Sequence, residues 1–501
     1  MIYKKMDKYL LGIDIGTSGC KSCVIDNKGK LIASACHEYS PLITRGRWVE
    51  QDPIDWYRAS VVTLKKLKSK SCIDFKSIVA VGVTGQMRGA TFIDRDGKII
   101  RNSILWNDLR NEKEVKEINE EYSDILQAVT RNPLNTMCTL PKILWMMRNE
   151  PDNWERTYKV IFPKDYINFK LTGNLQTDLS DASGTSYYDL KKQNWSDEIL
   201  NIFSIPRKKL PDIYPSTAII GKVSSVVSDE VGIPKGVPVI AGGSDATVES
   251  FSIGLINSRQ CKIRLGTSGA LSTIVNDIDS LSNIKNYCWS YILNDKWMLD
   301  TNTRSCAQAV KWFRDVFYKD RPKTGKTYDE IDEEAQSAPV GSEGLLFHPY
   351  LLGEDAPYWD SGLKGNFFGV SVNHGRSHFA RAIYEGTAFA LKDVMSTFGD
   401  LANGFKENIF TGGGVKSKCW LSIVADVLGM DGKVSANADA AFGAAILAGV
   451  GVGVLGKLED AICLCSNTER FIEYNRENHK IYSDLFYKYK RIKRICDKHK
   501  Q

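Results

Sequence analysis

Histidine is scarce in this sequence, and its cysteines and apolar residues lack the patterns that mark several classes of protein. Only 6 histidines occur among 501 residues, and His374 and His378, four apart at a predicted helix start, have no evident third ligand, which argues against a metal site there. The 12 cysteines are scattered singly, which excludes a disulfide framework and indicates a reducing cytoplasm. The longest apolar run, AAFGAAILAGVGVGVL, is shorter than the roughly 18 residues of a membrane span and rich in glycine, so it predicts a buried helix and turn.

A strong excess of charge of either sign is also missing. The chain has 66 lysines and arginines against 60 aspartates and glutamates, and a net charge of +6 gives no field of the kind that non-specific nucleic-acid binding requires. The first residues show no small-residue cleavage site, so we expect no signal peptide. Together these features predict a cytoplasmic protein without nucleic-acid or membrane partners.

The basic end of the chain carries apolar residues at helical spacing. These predict a terminal helix with one docked and one solvated basic face, in preference to an RNA- or membrane-binding tail. The residues are Ile481, Leu485, Tyr489, Ile492 and Cys496.

The chain is long enough for two domains, and a repeated tetrapeptide divides it near the middle. Gly-Thr-Ser-Gly occupies residues 16–19 and again residues 266–269. Each copy lies between two strand-like runs, which predicts a hairpin with a small-residue turn. Because the copies share this context and lie half a chain apart, we expect two related domains, over residues 1–252 and 253–501.

Strand and helix patterns alternate in both halves and predict an α/β fold. The first half reads as a three-stranded meander, the helix DPIDWYRASVVTLKKLKS and the buried strand SIVAVGVT. The second half contains the helix RSHFARAIYEGTAFALKDVMSTFGD, the strand NIF, the loop TGGG and the helix SKCWLSIVADVLG. At the start of the first helix we expect packing by Trp48 and Trp56 and capping by Glu50, Gln51 and Asp52.

The first hairpin imitates a Walker loop without being one. Cys20 and Ile15 stand where that pattern requires glycine, and the chain returns in a strand where a Walker loop enters a helix. A small-residue turn can still aim backbone N–H groups and hydroxyls at phosphate oxygens. The candidate phosphate contacts are Gly16, Thr17, Ser18 and Lys21 in the first copy and Gly266, Thr267 and Ser268 in the second.

Two further features fit a bound nucleotide. Asp14 ends a buried strand, where a lone acid is costly unless it meets a cation or a donor, so it either binds magnesium or caps the turn. The loop of Gly412, Gly413 and Gly414 would let a flat adenosine lie against the backbone, although strand-to-helix turns use glycine for other reasons as well.

These features and other motifs in the same order resemble the FGGY family of carbohydrate kinases, in the larger fold group of actin, the Hsp70 ATPase domain and hexokinase. Within the family, GQMRG, ILWND and HPYLLGE are most similar to the xylulokinase branch. The resemblance covers nearly the whole chain, through GIDIGTS, RWVEQDPIDWY, GQMRGATFID, ILWNDLR, FPKDYINFKLTG, TDLSDASGT, AGGSDATVESFSIG, RLGTSG, HPYLLGEDAPYWD, GNFFGVSVNH and FTGGGVKSKCWLSIVADVLG.

The resemblance implies two ribonuclease-H-like domains around a central cleft that close on a sugar and MgATP. It implies that Asp245 is the general base and that Asp14 organises magnesium. The two hairpins would then hold phosphates, and Gly412 to Gly414 would border the adenosine. A carboxylate such as Asp245 can accept the proton of a sugar hydroxyl as that hydroxyl attacks the γ-phosphorus in line.

Among the sugars that such a kinase could phosphorylate, D-xylulose is the first candidate. In the family, the loop of Gln86, Met87 and Arg88 contacts the substrate, and the xylulokinase pattern has histidine where this chain has Arg88. Because arginine presents a fork of donors suited to a carboxylate or several hydroxyls, gluconate, another ketose or a polyol stays open. Asp355 is a second departure, since the family commonly has arginine there.

Three residues of ILWND are further pocket candidates. They are Trp106, Asn107 and Asp108, whose alternative role is packing and turn formation at a strand end.

A non-catalytic relative is the competing class: an ATP-driven conformational protein of the actin or Hsp70 type, or a sugar-sensing regulator. A regulator would carry a helix-turn-helix, and we expect none before the first strand. A pseudokinase would lose Asp14 or Asp245, and both are present. The oligomeric state is open, with a homodimer among the alternatives.

Overall fold

The computed structural model describes residues 8–70, 73–279, 286–435, 438–465 and 468–498. Up to residue 252 the elements are β1 Tyr9–Ile15, β2 Gly19–Asp26, β3 Leu31–Glu38, β4 Leu42–Thr44, β5 Trp48–Gln51, α1 Pro53–Lys70, β6 Ile78–Gly85, β7 Thr91–Ile93, β8 Ser103–Ile104, α2 Glu112–Thr130, α3 Thr139–Asn149, α4 Pro151–Arg156, β9 Lys159–Ile161, α5 Pro163–Thr172, β10 Gln176–Asp178, α6 Leu179–Ser183, β11 Tyr188–Asp189, β12 Asn194–Trp195, α7 Asp197–Ile202, β13 Asp212–Tyr214, β14 Ile219–Lys222, α8 Ser225–Val231, β15 Pro238–Ile240, β16 Gly243–Ser244 and α9 Asp245–Ser252.

The second half continues with elements of the same two kinds. They are β17 Gln260–Leu265, β18 Gly269–Val275, β19 Tyr287–Ser290, β20 Trp297–Thr303, α10 Ala307–Phe317, α11 Gly325–Ser337, β21 Leu346–His348, β22 Asn366–Phe368, α12 Arg376–Met395, α13 Asp400–Asn403, β23 Glu407–Thr411, α14 Lys418–Leu428, β24 Gly432–Ser435, α15 Ala440–Gly451, α16 Leu458–Cys465, β25 Thr468–Ile472 and α17 Arg476–Lys498.

The two halves build their main sheets in the same way. In the first sheet the strand order is β3-β2-β1-β6-β15-β14, and in the second it is β19-β20-β18-β17-β23-β24-β25. In each, a run of antiparallel strands continues through β1 or β17 into two parallel strands, β6 and β15 or β23 and β24. Both Gly-Thr-Ser-Gly turns lie in hairpins, β1 to β2 and β17 to β18, as their sequence context predicts.

The helix α1 begins where the sequence predicts, but only one of its three expected caps is confirmed. Asp52 Oδ1 accepts a hydrogen bond from the Ile54 N–H at 2.9 Å. The carboxylate of Glu50 instead pairs with Arg101 and with Arg110, so its predicted capping role is wrong. Gln51 also has another role, which belongs to the functional site.

The glycine-rich apolar run forms the buried helix that the sequence predicts, α15, and it packs on the sheet of the first half. Glycine is required where α15 meets β1 and β6. A Cβ on Gly12 would lie 1.9 Å from the Ala441 carbonyl oxygen, and one on Gly82 would lie 2.2 Å from the Ala444 carbonyl oxygen. A helix of the second half therefore rests directly on the backbone of the first.

The terminal helix α17 docks with one face, as predicted, through Leu485, Tyr489 and Ile492. Ile481 is 45% exposed and its neighbour Tyr482 is buried in its place, while the side chain of Cys496 lies outside the described residues. Among the described helices, none combines the length and the apolar character that a membrane span needs.

Candidate active site

A cavity of about 610 Å³ opens between the two halves and brings together several of the predicted site residues. From the first half it is lined by Met87, Arg88, Trp106, Met137 and Asp245. From the second half it is lined by Arg264, Thr267, Ser268, Ala270, Tyr287, Trp289, Asp300, Asn302, Arg304, Leu352 and Asp355. The predicted base, part of the predicted sugar loop and the second phosphate hairpin thus share one space.

Asp245 faces this cavity from the first turn of α9. The chain just before Asp245 passes very close to β6, because Gly242 has φ 74° and a Cβ there would lie 1.8 Å from the Val83 carbonyl oxygen. This close contact sets the position of Asp245. The Asp245 carboxylate accepts a hydrogen bond from the Ala246 N–H at 2.8 Å. Burial, with a smaller contribution from the charge of Glu249, raises the pKa of Asp245 to about 6. The group is therefore ionised at neutral pH yet more basic than an ordinary aspartate.

Asp14 lies at the end of β1, beside Lys21 of β2 and Thr84 of β6. Its Oδ1 atom is buried and accepts no hydrogen bond from the described residues. Burial raises the pKa of Asp14 well above its usual range, and the charges of Asp245 and Asp439 raise it further. A carboxylate in this position would be stabilised by a cation.

The first hairpin is fastened to the predicted sugar loop. The Thr17 hydroxyl donates to Gln86 Oε1 at 3.0 Å and accepts from the Trp106 indole N–H at 3.0 Å. The Gly16 carbonyl accepts from the Tyr39 hydroxyl at 2.7 Å, while Ser18 at the tip of the turn is exposed. Thr17 thus connects two residues that were predicted to bind the sugar, Gln86 and Trp106, to the turn. The hydroxyl of its neighbour Ser18 faces solvent.

Gln51 completes this connection, a role that no local pattern indicated. Its Nε2 donates to the Thr17 carbonyl at 2.7 Å, and its Oε1 accepts from Gln86 Nε2 at 2.8 Å and from the Trp56 indole at 2.9 Å. The expectation that Gln51 caps a helix is therefore wrong. The Gln86 amide is held inside this network and does not line the cavity.

Lys21, predicted as a phosphate contact, forms an ion pair with Asp439 across 2.5 Å. Asp439 precedes α15 and accepts from the Ala441 N–H at 3.0 Å, so it also caps that helix. The structure therefore places Lys21 in the contact between β2 and the start of α15.

The second hairpin and the triple-glycine loop lie against each other. A Cβ on Gly412 would lie 2.7 Å from the Leu265 carbonyl oxygen, and one on Gly414 would lie 2.5 Å from the Trp420 ring. Gly413 is exposed, with nothing within 4 Å of a Cβ placed on it. Close packing thus accounts for two of the three glycines, and Gly413 is the one with open space beside it.

Backbone hydrogen bonds hold the second turn in place. The Gly266 carbonyl accepts from the Ala307 N–H at 2.8 Å, and the Thr267 carbonyl accepts from the Cys306 N–H at 3.0 Å. Thr267 and Ser268 of this turn both line the cavity.

Arg88 is buried in the cavity wall, with φ 65°. Its guanidinium lies 4.9 Å from the centre of the Tyr287 ring and 5.2 Å from that of Trp289, within cation–π range. The Nε atom has no hydrogen-bond partner among the described residues, and the guanidinium forms no ion pair with them. Both aromatic rings belong to the second half, so this contact joins the halves across the cavity.

Asp108 does not reach the cavity. Its carboxylate is fully buried and is held by the Arg110 guanidinium at 2.9 and 2.8 Å and by the Val49 N–H at 2.5 Å. This paired arrangement satisfies the charge locally and supports its alternative role in turn formation. Asn107 also lies outside the lining, with a buried Oδ1 that accepts no hydrogen bond from the described residues.

Comparisons with known proteins decide the family. The N-terminal domain model of the FGGY family of carbohydrate kinases matches residues 9–252, and the C-terminal domain model of the same family matches residues 261–452. The chain belongs to the FGGY family of carbohydrate kinases. The predicted fold class, two ribonuclease-H-like domains around a cleft, and the predicted enzyme class, an ATP-dependent carbohydrate kinase, are confirmed.

Relatives of this FGGY kinase carry two substrate names. A xylulose kinase of Lactococcus lactis subsp. lactis (strain IL1403) is 32% identical over 97% of this chain and 96% of the relative. Two crystal structures from Lactobacillus acidophilus, a ligand-bound xylulose kinase and a gluconate kinase, are each 28% identical, with TM-scores of 0.90. The first covers 97% of this chain and 98% of the solved one, and the second covers 98% of each.

The FGGY kinase also has cavity residues in its second half that sequence reasoning missed, among them Asp300, Asn302 and Arg304, whereas Asp355 was noted as a departure from the family pattern. Asp355 accepts from Arg304 Nε and from Asn302 Nδ2, each at 2.6 Å. Asp300 accepts from the Ser272 hydroxyl at 2.6 Å, and burial raises its pKa. The sequence indicated Asp300 and Asn302 only through the alternating polar residues of WMLDTNT in β20. These residues reach the site because β20 pairs with β18 of the second hairpin.

Proposed function

We propose that this kinase transfers the terminal phosphoryl group of ATP to a hydroxyl of a sugar, with Asp245 as the general base and D-xylulose as the first candidate substrate. One observation carries the proposal. The Asp245 carboxylate faces a cavity that the second hairpin also lines, and its pKa of about 6 leaves it ionised but basic near neutral pH.

In this mechanism the substrate hydroxyl donates its proton to Asp245 while its oxygen attacks the terminal phosphorus. Backbone N–H groups of the turns at residues 17–18 and 266–268 would stabilise the charge on the phosphoryl oxygens. Trp106 and Met87 offer apolar surface to the sugar carbons, and Gly413 offers open space to the adenosine. Lys21 would act by holding α15 in place, because its ammonium group already forms an ion pair with Asp439.

Asp14 fits a magnesium ion. The fit rests on its buried, unpartnered Oδ1 and on the neighbouring charges of Asp245 and Asp439, which favour a cation at this point. We propose that Asp14 holds the magnesium of MgATP, directly or through water. Bound magnesium would neutralise charge on the phosphates.

A second substrate class is favoured by Arg88. Its guanidinium has no carboxylate partner among the described residues, although it lines the cavity. A planar fork of donors suits the carboxylate of an aldonate such as gluconate. The names of the relatives support both candidates, xylulose kinase and gluconate kinase. The cytoplasmic location, the homodimer alternative and the domain bounds stay predictions of the sequence.

The test is ADP release measured with a panel of ketopentoses, ketohexoses, polyols and aldonates. We expect one class of sugar to stimulate release by the wild type, with D-xylulose or gluconate foremost, and Asp245→Asn to lose that stimulation. Asp124→Asn, an exposed substitution on α2, is the matched control and should behave as the wild type. Sugar-independent release by the wild type, or full activity of Asp245→Asn, would contradict the proposal.

A further inference from the structure

A buried cluster of charges lies close to Asp245 but outside the cavity lining. Lys164 Nζ is 2.6 Å from Asp165 Oδ1, 3.0 Å from Asp178 Oδ1 and 3.3 Å from Asp181 Oδ2. All four side chains are fully buried. They come from FPKDYINFKLTG and TDLSDASGT, two motifs with no part in the proposed mechanism. Because breaking a buried ion pair leaves an uncompensated charge, the pair of Lys164 and Asp178 anchors the Asp178 carboxylate in the fold.

Two hydrogen bonds run from this anchor to Ser244, the residue that directly precedes the base. The Ser180 hydroxyl donates to Asp178 Oδ2 at 2.6 Å and accepts from the Ser244 N–H at 2.8 Å. Ser244 is the N-cap residue of α9 and directly precedes Asp245. A Cβ on Gly243 would lie 3.2 Å from Ser180 Oγ, so the glycine before Ser244 permits this close approach.

We propose that Ser180 is a positioning residue for Asp245: it ties the backbone at the start of α9 to the Lys164–Asp178 anchor and so fixes where the base carboxylate points into the cavity. The inference rests on the proposed function, because it presumes that Asp245 accepts the proton. It gives the two unassigned motifs a role in the reaction in addition to stability.

The expected effect is on turnover more than on sugar binding. Loss of the Ser180 hydroxyl leaves the Ser244 N–H without an acceptor, and the first turn of α9 can then shift. A misplacement of about 1 Å at a reacting group can cost up to about a hundredfold in rate. We expect Ser180→Ala to lower kcat about tenfold and to change the KM for the sugar less than about twofold.

The matched control is Ser216→Ala. The Ser216 hydroxyl is also buried and also donates to Asp178 Oδ2, at 3.2 Å, but among the described residues it forms no hydrogen bond with Ser244. Both variants therefore lose a donor to the same carboxylate oxygen, and only Ser180→Ala breaks the link to the base. We expect Ser216→Ala to keep the wild-type kcat within about twofold, whatever change in Tm the two variants share.

A double-variant comparison separates positioning from general loss of structure. In an Asp245→Asn background, Ser180→Ala should change the residual rate less than about twofold, because the group that it positions is already removed. An equal fall of kcat in both backgrounds, or equal kcat values for Ser180→Ala and Ser216→Ala, would overturn the inference. If Ser180→Ala is too unstable to assay, Ser180→Cys and Ser216→Cys are compared in the same way.

If the proposed function itself were wrong, the experiments would give a different result. In that case the wild type would show no sugar-dependent ADP release, or Asp245→Asn would keep it, independently of any change at Ser180.

Discussion

At the scale of single residues, the environment of Asp245 predicts how catalysis depends on pH. Because burial raises its pKa to about 6, the carboxylate is protonated, and unable to act as a base, at lower pH. We expect kcat/KM for the sugar to be level above about pH 7 and to fall about tenfold per unit below pH 6. Direct quantification of the phosphorylated sugar from pH 5 to pH 8 measures this.

Substitution of Glu249 tests whether Asp245 controls that pH profile. Its charge raises the pKa of Asp245, whereas Lys262, 2.8 Å from Glu249, lowers it. Glu249→Gln removes the acidic charge and frees the lysine, so the acid limb should move to lower pH. A limb that stays in place, or moves up, would show that another group controls the profile.

Arg88 also allows a prediction at this scale. We expect Arg88→His to raise the ratio of kcat/KM for D-xylulose over that for gluconate about tenfold, because the fork of donors suited to a carboxylate is lost. Arg88→Lys keeps the charge without the fork and should give an intermediate ratio. An unchanged ratio in both variants would remove Arg88 from the selection of substrate.

Two residue predictions show where local sequence reasoning stops. Asp108 and Lys21 were reasonable pocket and phosphate candidates from their motifs. The structure gives each a partner, Arg110 two residues along the chain and Asp439 more than four hundred residues away. The first partner could have been read from the spacing Asp-x-Arg, but the second depends on a long-range contact. A side chain whose charge is neutralised by an ion-pair partner binds a charged ligand less strongly.

At the scale of elements, the contact of α15 with β1 and β6 predicts a selective effect on stability. Gly82→Ala would place a Cβ 2.2 Å from the Ala444 carbonyl oxygen, so the helix must move. We expect the free energy of unfolding to fall by about 1–3 kcal/mol or more. Gly325→Ala, at the first residue of α11 with nothing within 4 Å of the new Cβ, should stay within about 0.5 kcal/mol of the wild type. Urea unfolding measures both, and equal midpoints would contradict the packing account.

The hairpins, α1, α12 and α14 could be predicted because each depends on its own sequence: turns of small residues and apolar periods of 2 or 3.6. The network of Thr17, Gln51 and Gln86 could not, since it joins residues from three separate stretches of the chain. The pairing of Arg88 with Tyr287 and Trp289 was hidden for the same reason. Periodicity predicts which face of an element is buried, and contact between elements comes from the fold.

At the scale of the whole molecule, one repeated tetrapeptide predicted a duplication that the two sheets confirm in strand order and direction. It did not predict that α15 would cross to the sheet of the first half or that residues of β20 would line the same cavity as Asp245. The cavity is therefore a product of both halves, and the base and the second phosphate turn meet only in the assembled chain.

The most direct test of this account is the fate of the phosphoryl group, followed by phosphorus NMR in reactions of the wild type and Asp245→Asn with ATP and the preferred sugar. The account predicts one sugar phosphate ester for each ADP formed by the wild type, and ester formation at least about a hundredfold slower with Asp245→Asn. Inorganic phosphate in place of the ester, or equal rates of ester formation by the two proteins, would contradict it.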